Sequence, residues 1–199
     1  VTLVAQVGKK IIRGEETIQQ TTLNGDFKKI WLEPAGRANP KALKAIQEAD
    51  AIVLGPGNFY ASVVPNLLVK GIPEAIKKSK AQKIFVCNLM TKAEHTHGFS
   101  VTDYVKGIET YLKSTVDVVI YNNAAPDAEH MKRYTRAGDT LTTWSELPRN
   151  RVLIGKNLMS TRAHNPNKIG VAAKESSLVR HDPAKIASAI TKLLGVKKL

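Results

Sequence analysis

The run Ala51-Ile-Val-Leu stops abruptly at Gly55-Pro56-Gly57-Asn58, and a Ser/Asn-bearing stretch through Phe59-Tyr60-Ala-Ser62 to Pro65-Asn66 follows at once. A short apolar run closed by two glycines around a proline reads as a strand running into a loop, and the polar stretch behind it can open a helix. A strand that feeds a loop and helix in this way brings backbone N–H groups towards an anion, usually a phosphate. The feature therefore fixes a strand–loop–helix unit of an α/β sheet. It also locates a site, without naming the ligand.

The rest of the chain is consistent with such a unit. Residues 1–33 read as β: a strand at 1–7, a turn at Gly8, a second strand at 11–14, and a third at 29–33 ended by Pro34. From Pro40 the pattern changes to alternating helix and strand. Pro40 suits a first helical turn, and Leu43, Ile46 and Ala49 give it an apolar stripe. Residues 62–79 predict a helix in two pieces, broken near Gly71 and Pro73. Strands follow at 83–90, 117–122 and 151–154.

Ser100 with Asp103 three residues on predicts a capped helix carrying Val101, Tyr104, Val105, Ile108 and Leu112. Another helix is expected around 127–134, and Asp182-Pro183 opens a last one with Ile186, Ile190, Leu193 and Leu194 on its apolar face. Strands alternating with helices of this length predict a mostly parallel sheet with helices on both faces. The expectation is one α/β domain over 1–199, with a β-hairpin region at its start. The segment 155–175 carries the weakest pattern.

Composition narrows the setting. With 43% apolar residues in 199, the chain can bury a full core. No apolar run approaches a membrane span. The opening Val1-Thr2-Leu3-Val4 shows neither a charged leader nor a cleavage site, and its lack of Met points to an upstream segment removed or left out. A single cysteine, Cys87, predicts a reducing, cytoplasmic setting. The net charge of +13 attracts anions in general. Its lysines are scattered, with no block of five, and aromatic residues are 6%, so no specific nucleic-acid partner is expected.

In an open α/β sheet, ligands bind beyond the carboxyl ends of the strands. Three such ends are polar here. Behind the first stand Gly55, Pro56, Gly57 and Asn58, then Tyr60, Ser62 and Asn66; behind the second, Asn88, Met90 and Thr91; behind the third, Asn122. One Asn at a loop start is ordinary turn chemistry, whereas three polar ends together are better explained by a lined crevice. Arg180 in Arg180-His181-Asp182-Pro183 can be an exposed side chain beside a helix cap, or a planar fork gripping phosphate next to that helix start.

Several chemistries are unsupported. No Gly-Lys-Ser/Thr follows the glycines, and Tyr60 stands where a dinucleotide fingerprint needs its third glycine. His95-Thr96-His97 with Cys87 fits no zinc spacing, so no metal site is expected. There is no Gly-x-Ser-x-Gly elbow, and Cys87 within an apolar strand reads as core. Asp50, Glu94 and Asp103 do not pair as acid and base, so no catalytic group stands out.

Over Ala49-Asp50 through Gly55-Pro-Gly-Asn-Phe-Tyr-Ala-Ser-Val-Val-Pro-Asn66 to Gly71-Ile72, the chain resembles the YvcK-type branch of the CofD-like family, whose members have been called gluconeogenesis factors. The resemblance continues through Val86-Cys-Asn-Leu-Met-Thr91 and Gly98-Phe-Ser-Val-Thr-Asp-Tyr104 to Leu178-Val-Arg-His-Asp-Pro183, and is weakest over 137–170. It implies a Rossmann-like fold, a homodimer and a bacterial cytoplasmic location. It also implies binding of a nucleotide diphosphate sugar, chiefly UDP-N-acetylglucosamine, in a regulator of carbon use, peptidoglycan supply and cell shape with no reaction of its own.

The other branch of that family comprises phospholactate transferases of deazaflavin-coenzyme synthesis, for which magnesium would be a cofactor. The continuation from Tyr60 to Leu68 is closer to the YvcK form. The family opens with a glycine-rich strand-loop-helix unit well before the point matching Val1, and that unit is absent here. A ligand-free dimerisation or scaffold fragment is therefore the third expectation.

Overall fold

In the computed structural model, the chain builds two sheets. Residues 1–23, 26–126, 138–160 and 179–195 are described. The first sheet is antiparallel in the order β2–β1–β3, from β1 (Thr2–Val7), β2 (Lys10–Arg13) and β3 (Phe27–Glu33). Gly8, in the left-handed region at φ 56°, turns β1 into β2. The three strands expected at the start are thus present, and all pair through β1.

A short helix, α1 (Glu15–Gln20), intervenes between β2 and β3 and was not expected. Its sequence carries no apolar stripe. Only Ile18 is buried, and that one side chain sits at 0% exposure in the main core. Tertiary burial, not local periodicity, fixes this helix.

The second sheet is parallel in the order β4–β5–β6–β7, from β4 (Ala51–Leu54), β5 (Gln82–Val86), β6 (Val118–Asn122) and β7 (Val152–Lys156). Alternate residues of its strands point to opposite faces. Phe85, Cys87 and Val119 join a cluster with α5 (Val101–Leu112), whose Val101, Tyr104, Val105, Ile108 and Leu112 are all buried. Ile84, Val86, Val118 and Ile120 join the other cluster, against Ile186, Ala189 and Ile190 of α6 (Pro183–Leu193). Helices therefore cover both faces, as the sequence predicts. Each buried Val, Ile, Leu or Phe among them contributes about 1.5–3 kcal/mol by leaving water. At the edges, Val53 of β4 and Val152 of β7 remain exposed.

The remaining helices among the described residues are α2 (Pro40–Glu48), capped by Asn39; a π-helical turn at Phe59–Val63 running into α3 (Val64–Leu67); and α4 (Ile72–Lys78). The break between α3 and α4 falls at Gly71, φ 101°, where it was expected. The helix after the glycine loop starts earlier than Ser62, because the Asn58 side chain caps Ala61 N–H and the Asn58 carbonyl takes up Ser62 and Val63 N–H. Ser100 and Asp103 form the expected capping box, and Asp182 caps α6. The helix expected at 127–134, and most of 155–175, fall outside the described residues.

The larger cluster runs from Leu3, Ala5, Ile18 and Ile30 through Phe59 to Phe85 and Tyr104, so the two sheets share a core. Close approach makes this possible. A Cβ on Gly107 of α5 would lie 2.6 Å from Phe59 Cζ. Among the described residues, no helix is long and apolar enough to cross a membrane.

Candidate functional site

Beyond the carboxyl ends of β4 and β5 lies a cavity of about 720 Å³, within the usual range for small-molecule sites. The glycine loop forms one wall. Gly55 sits at φ 72°, and a Cβ there would meet the Val86 carbonyl oxygen at 2.9 Å, so only glycine lets the chain leave β4 this close to β5. The Gly55–Pro56 peptide is cis. Asn88, at the end of β5, donates from Nδ2 to the Gly57 carbonyl at 2.8 Å and fixes the two loops together.

The second wall is the segment 88–96. Thr91 is tied to Thr140 by three contacts: Thr91 N–H to the Thr140 carbonyl at 2.7 Å, the two hydroxyls at 2.8 Å, and Thr140 N–H to Thr91 Oγ1 at 3.1 Å. Asp139 next to it accepts from Ala93 N–H at 2.9 Å. Burial pushes the Asp139 carboxyl above its ordinary pKa, with Glu94 acting the same way and the Ala93 bond and Lys92 opposing. Lys92 donates from Nζ to the Gln19 carbonyl at 3.2 Å, and His95 contacts the Ile18 carbonyl at 2.8 Å. Through these two residues α1 closes the cavity on a third side.

The fourth side is Val179-Arg180-His181. Ser160 N–H donates to the Arg180 carbonyl at 2.8 Å, and Asp182 N–H to the Leu158 carbonyl at 2.8 Å, so residues 158–160 hold this segment. His181 donates from Nε2 to the Cys87 carbonyl at 3.2 Å. Burial lowers its pKa, the Cys87 bond opposing. Among the described residues, the lining carries two cations, Lys92, paired with Glu94 at 3.9 Å, and Arg180, with one carboxylate, Asp139. That balance suits an anion bearing hydroxyl groups.

Of the residues singled out from sequence, Pro56, Gly57, Asn58, Asn88, Met90, Thr91 and Arg180 line this cavity. Gly55 lies beneath it, bordering a second cavity of about 250 Å³ that also takes Ser62 and Asn66. Asn66 donates back to the Ser62 carbonyl at 2.7 Å. Tyr60 is packed between Phe27 and Phe59, each at a centroid distance of 4.9 Å. Asn122 is outside both cavities: its Oδ1 accepts Leu158 N–H at 3.0 Å, its Nδ2 donates to the Ala124 carbonyl, and it is 5% exposed. It supports the segment that holds Arg180, and does not face the cavity.

Sequence reading missed Gln19, Lys92, His95, Thr96, Asp139 and His181 as lining residues. His181 adjoins Arg180 in the same motif and was legible there. The others reach the cavity from segments whose polar residues look like ordinary loop. Among the described residues, no three His, Cys, Asp or Glu side chains gather to hold a metal. His97 is exposed, and the Cys87 thiol is buried, with its pKa pushed well up by desolvation.

Fold and cavity define an α/β protein with a pocket beyond the carboxyl ends of parallel strands, where this class holds its ligands. Residues 1–159 match the family described as 2-phospho-L-lactate transferase CofD, and the chain belongs to that family. Within it, the chain is similar to gluconeogenesis factors. That of Listeria innocua serovar 6a is 32% identical over 197 residues, covering 94% of this chain and 54% of that protein. A Thermotoga maritima relative that carries the name provisionally is 36% identical over 185 residues, covering 90% of this chain and 56% of its own.

The crystal structure of a UPF0052 family member from Bacillus halodurans superposes with a TM-score of 0.78 at 27% identity, covering 95% of this chain and 57% of that one. The α/β fold is thus shared with a solved relative. The chain spans a little over half the length of these relatives.

Proposed function

We propose that this chain binds a nucleotide diphosphate sugar of the UDP-N-acetylglucosamine type and acts as a regulator of carbon metabolism, with peptidoglycan supply and cell shape as its outputs. One observation carries the reading: a single cavity gathers Pro56, Gly57 and Asn58 of the glycine loop, Lys92 and Arg180 around space for a ligand. In this reading Arg180 and Lys92 take the diphosphate, Arg180 as a planar fork, while Asp139 accepts from sugar or ribose hydroxyls. The protein works as a cytoplasmic homodimer. Its kinship with gluconeogenesis factors supports the regulatory role.

Calorimetric titration of the folded protein with UDP-N-acetylglucosamine, alongside UDP-glucose and NAD, tests it. The expected result is saturable heat with the first, weakened about 10–100-fold in Arg180→Ala, the loss of a charge-assisted hydrogen bond. No heat with any of the three defeats the reading.

The family description favours a second reading, a phospholactyl transferase acting on a deazaflavin acceptor. Its magnesium would need carboxylate ligands. Among the described residues lining the cavity, Asp139 is the one carboxylate, and no acidic cluster accompanies it. In this second reading Asp139 would hold the ion together with the substrate's phosphates and water. Product formation from the acceptor and an activated phospholactate would establish this reading over the first.

A further inference from the structure

His95 is 3% exposed and lies between two oxygens. Its Nε2 is 2.8 Å from the Ile18 carbonyl of α1, and its Nδ1 is 3.3 Å from Asn58 Oδ1 in the glycine loop. The Asn58 amide is not free to turn its NH2 group towards the ring, because Oδ1 already accepts Ala61 N–H at 3.2 Å as the cap of the π-helical turn. Both neighbours of the imidazole are therefore acceptors. A neutral ring has one N–H and must turn a lone pair on one of them, whereas an imidazolium donates to both.

We infer that His95 is a positioning residue for the ligand site, taking up a proton when an anion enters the cavity and thereby clamping Asn58 and the glycine loop to α1. The inference rests on the anion-binding reading above but not on the identity of the sugar.

In the empty cavity, burial is the largest influence and holds His95 below its ordinary pKa. Lys92 acts the same way, while the Ile18 and Thr21 carbonyls and Glu94 oppose. The other elements packed on it add the Tyr60 ring, edge-on at 6.1 Å, whose own pKa burial raises. At neutral pH the ring is thus neutral, with Nε2–H on Ile18 and the Nδ1 lone pair opposed to Asn58. An anion in the cavity reverses the balance. The proton comes from solvent and stays on Nδ1, and no other bond is made or broken. By linkage, anion affinity rises as pH falls, by at most about tenfold per pH unit for one proton, and only between the free-state and bound-state pKa values.

The test is a site-resolved 15N NMR titration of His95 in the folded protein, alone, with sulfate, and with UDP-N-acetylglucosamine. It is paired with calorimetry at pH 7 in buffers of different ionisation enthalpy. The expected midpoint for His95 rises by about one unit or more when either anion saturates the site, with net proton uptake that His95→Gln lowers by the share His95 carries, leaving any from His181. In that variant, the pH dependence of affinity weakens across the same window.

An unchanged His95 midpoint at saturation, or full proton uptake retained by His95→Gln, overturns the inference. If sulfate moves the midpoint but UDP-N-acetylglucosamine does not bind, the proton coupling stands and the nucleotide-sugar reading falls. If neither binds, both fall. Should His95→Gln fail to fold, the wild-type NMR titration decides alone.

Discussion

Gly55→Ala and Gly98→Ala form a matched pair that isolates why the glycine loop leaves its strand as it does. Both glycines sit in the left-handed region, at φ 72° and 71°. An added Cβ at Gly98 meets nothing within 4 Å, whereas at Gly55 it would meet the Val86 backbone oxygen at 2.9 Å. The left-handed conformation costs an alanine about 1–2 kcal/mol at either site. The gain from a stiffer unfolded chain, about 0.4–1 kcal/mol, is common to both and cancels in the comparison. At Gly55 the crowded atom is backbone and cannot swing aside, so β4 and β5 must part, at about 1–3 kcal/mol more.

Urea unfolding followed by circular dichroism should therefore separate the two variants by about 1–3 kcal/mol, with Gly55→Ala the weaker. In thermal melts each kcal/mol corresponds to about 2–4 °C for a chain of this size. Gly55→Ala should also weaken nucleotide-sugar binding, because Pro56 to Asn58 move with the strand end, while Gly98→Ala should not. Equal destabilisation of the two variants would refute the claim that close approach to Val86, and not φ alone, demands glycine at 55.

Other outcomes follow from single contacts. Asn122→Ala leaves Leu158 N–H without its acceptor and should cost about 1–3 kcal/mol in unfolding free energy; no loss would remove Asn122 from the support of the Arg180 segment. Gly107→Ala places a Cβ against Phe59 and should cost about 1–3 kcal/mol, with Phe59→Leu recovering part of it in a double-mutant cycle; strict additivity would show the two residues do not press on each other. Burial holds both His95 and His181 below the ordinary histidine pKa. The unfolded chain therefore binds more protons below about pH 6.5, and the stability these two groups contribute should fall from there towards the folded-state values, while staying level between about pH 6.5 and 7.5. Denaturation midpoints that rise between pH 7.5 and 5.5 would contradict the sign.

Much of the fold was legible because its signals are local. The Gly55-Pro56-Gly57 stop, the Ser100/Asp103 box, and Asp182 before Pro183 are each complete within a few residues. So is the two-faced alternation of Ile84-Phe85-Val86 and Val118-Val119-Ile120. What sequence could not show depends on distant pairing. α1 forms because Ile18 finds the core and His95 finds its carbonyl, across 77 positions. Asp139 reaches the cavity because Thr140 meets Thr91, 49 positions away. The polar end at Asn122 looked like that at Asn88, yet one side chain holds a buried N–H and the other braces the cavity wall. Residue type and strand position were the same, and only the third dimension separates the roles.

Where the ligand's diphosphate sits decides whether the cavity is the binding site, and a crystal structure of the protein soaked or grown with UDP-N-acetylglucosamine measures that directly. The proposed binding mode places diphosphate density in the cavity between the Gly57–Asn58 backbone and Arg180, with Asp139 towards the hydroxyl groups. Clear ligand density elsewhere on the molecule, with this cavity holding only solvent, would contradict it.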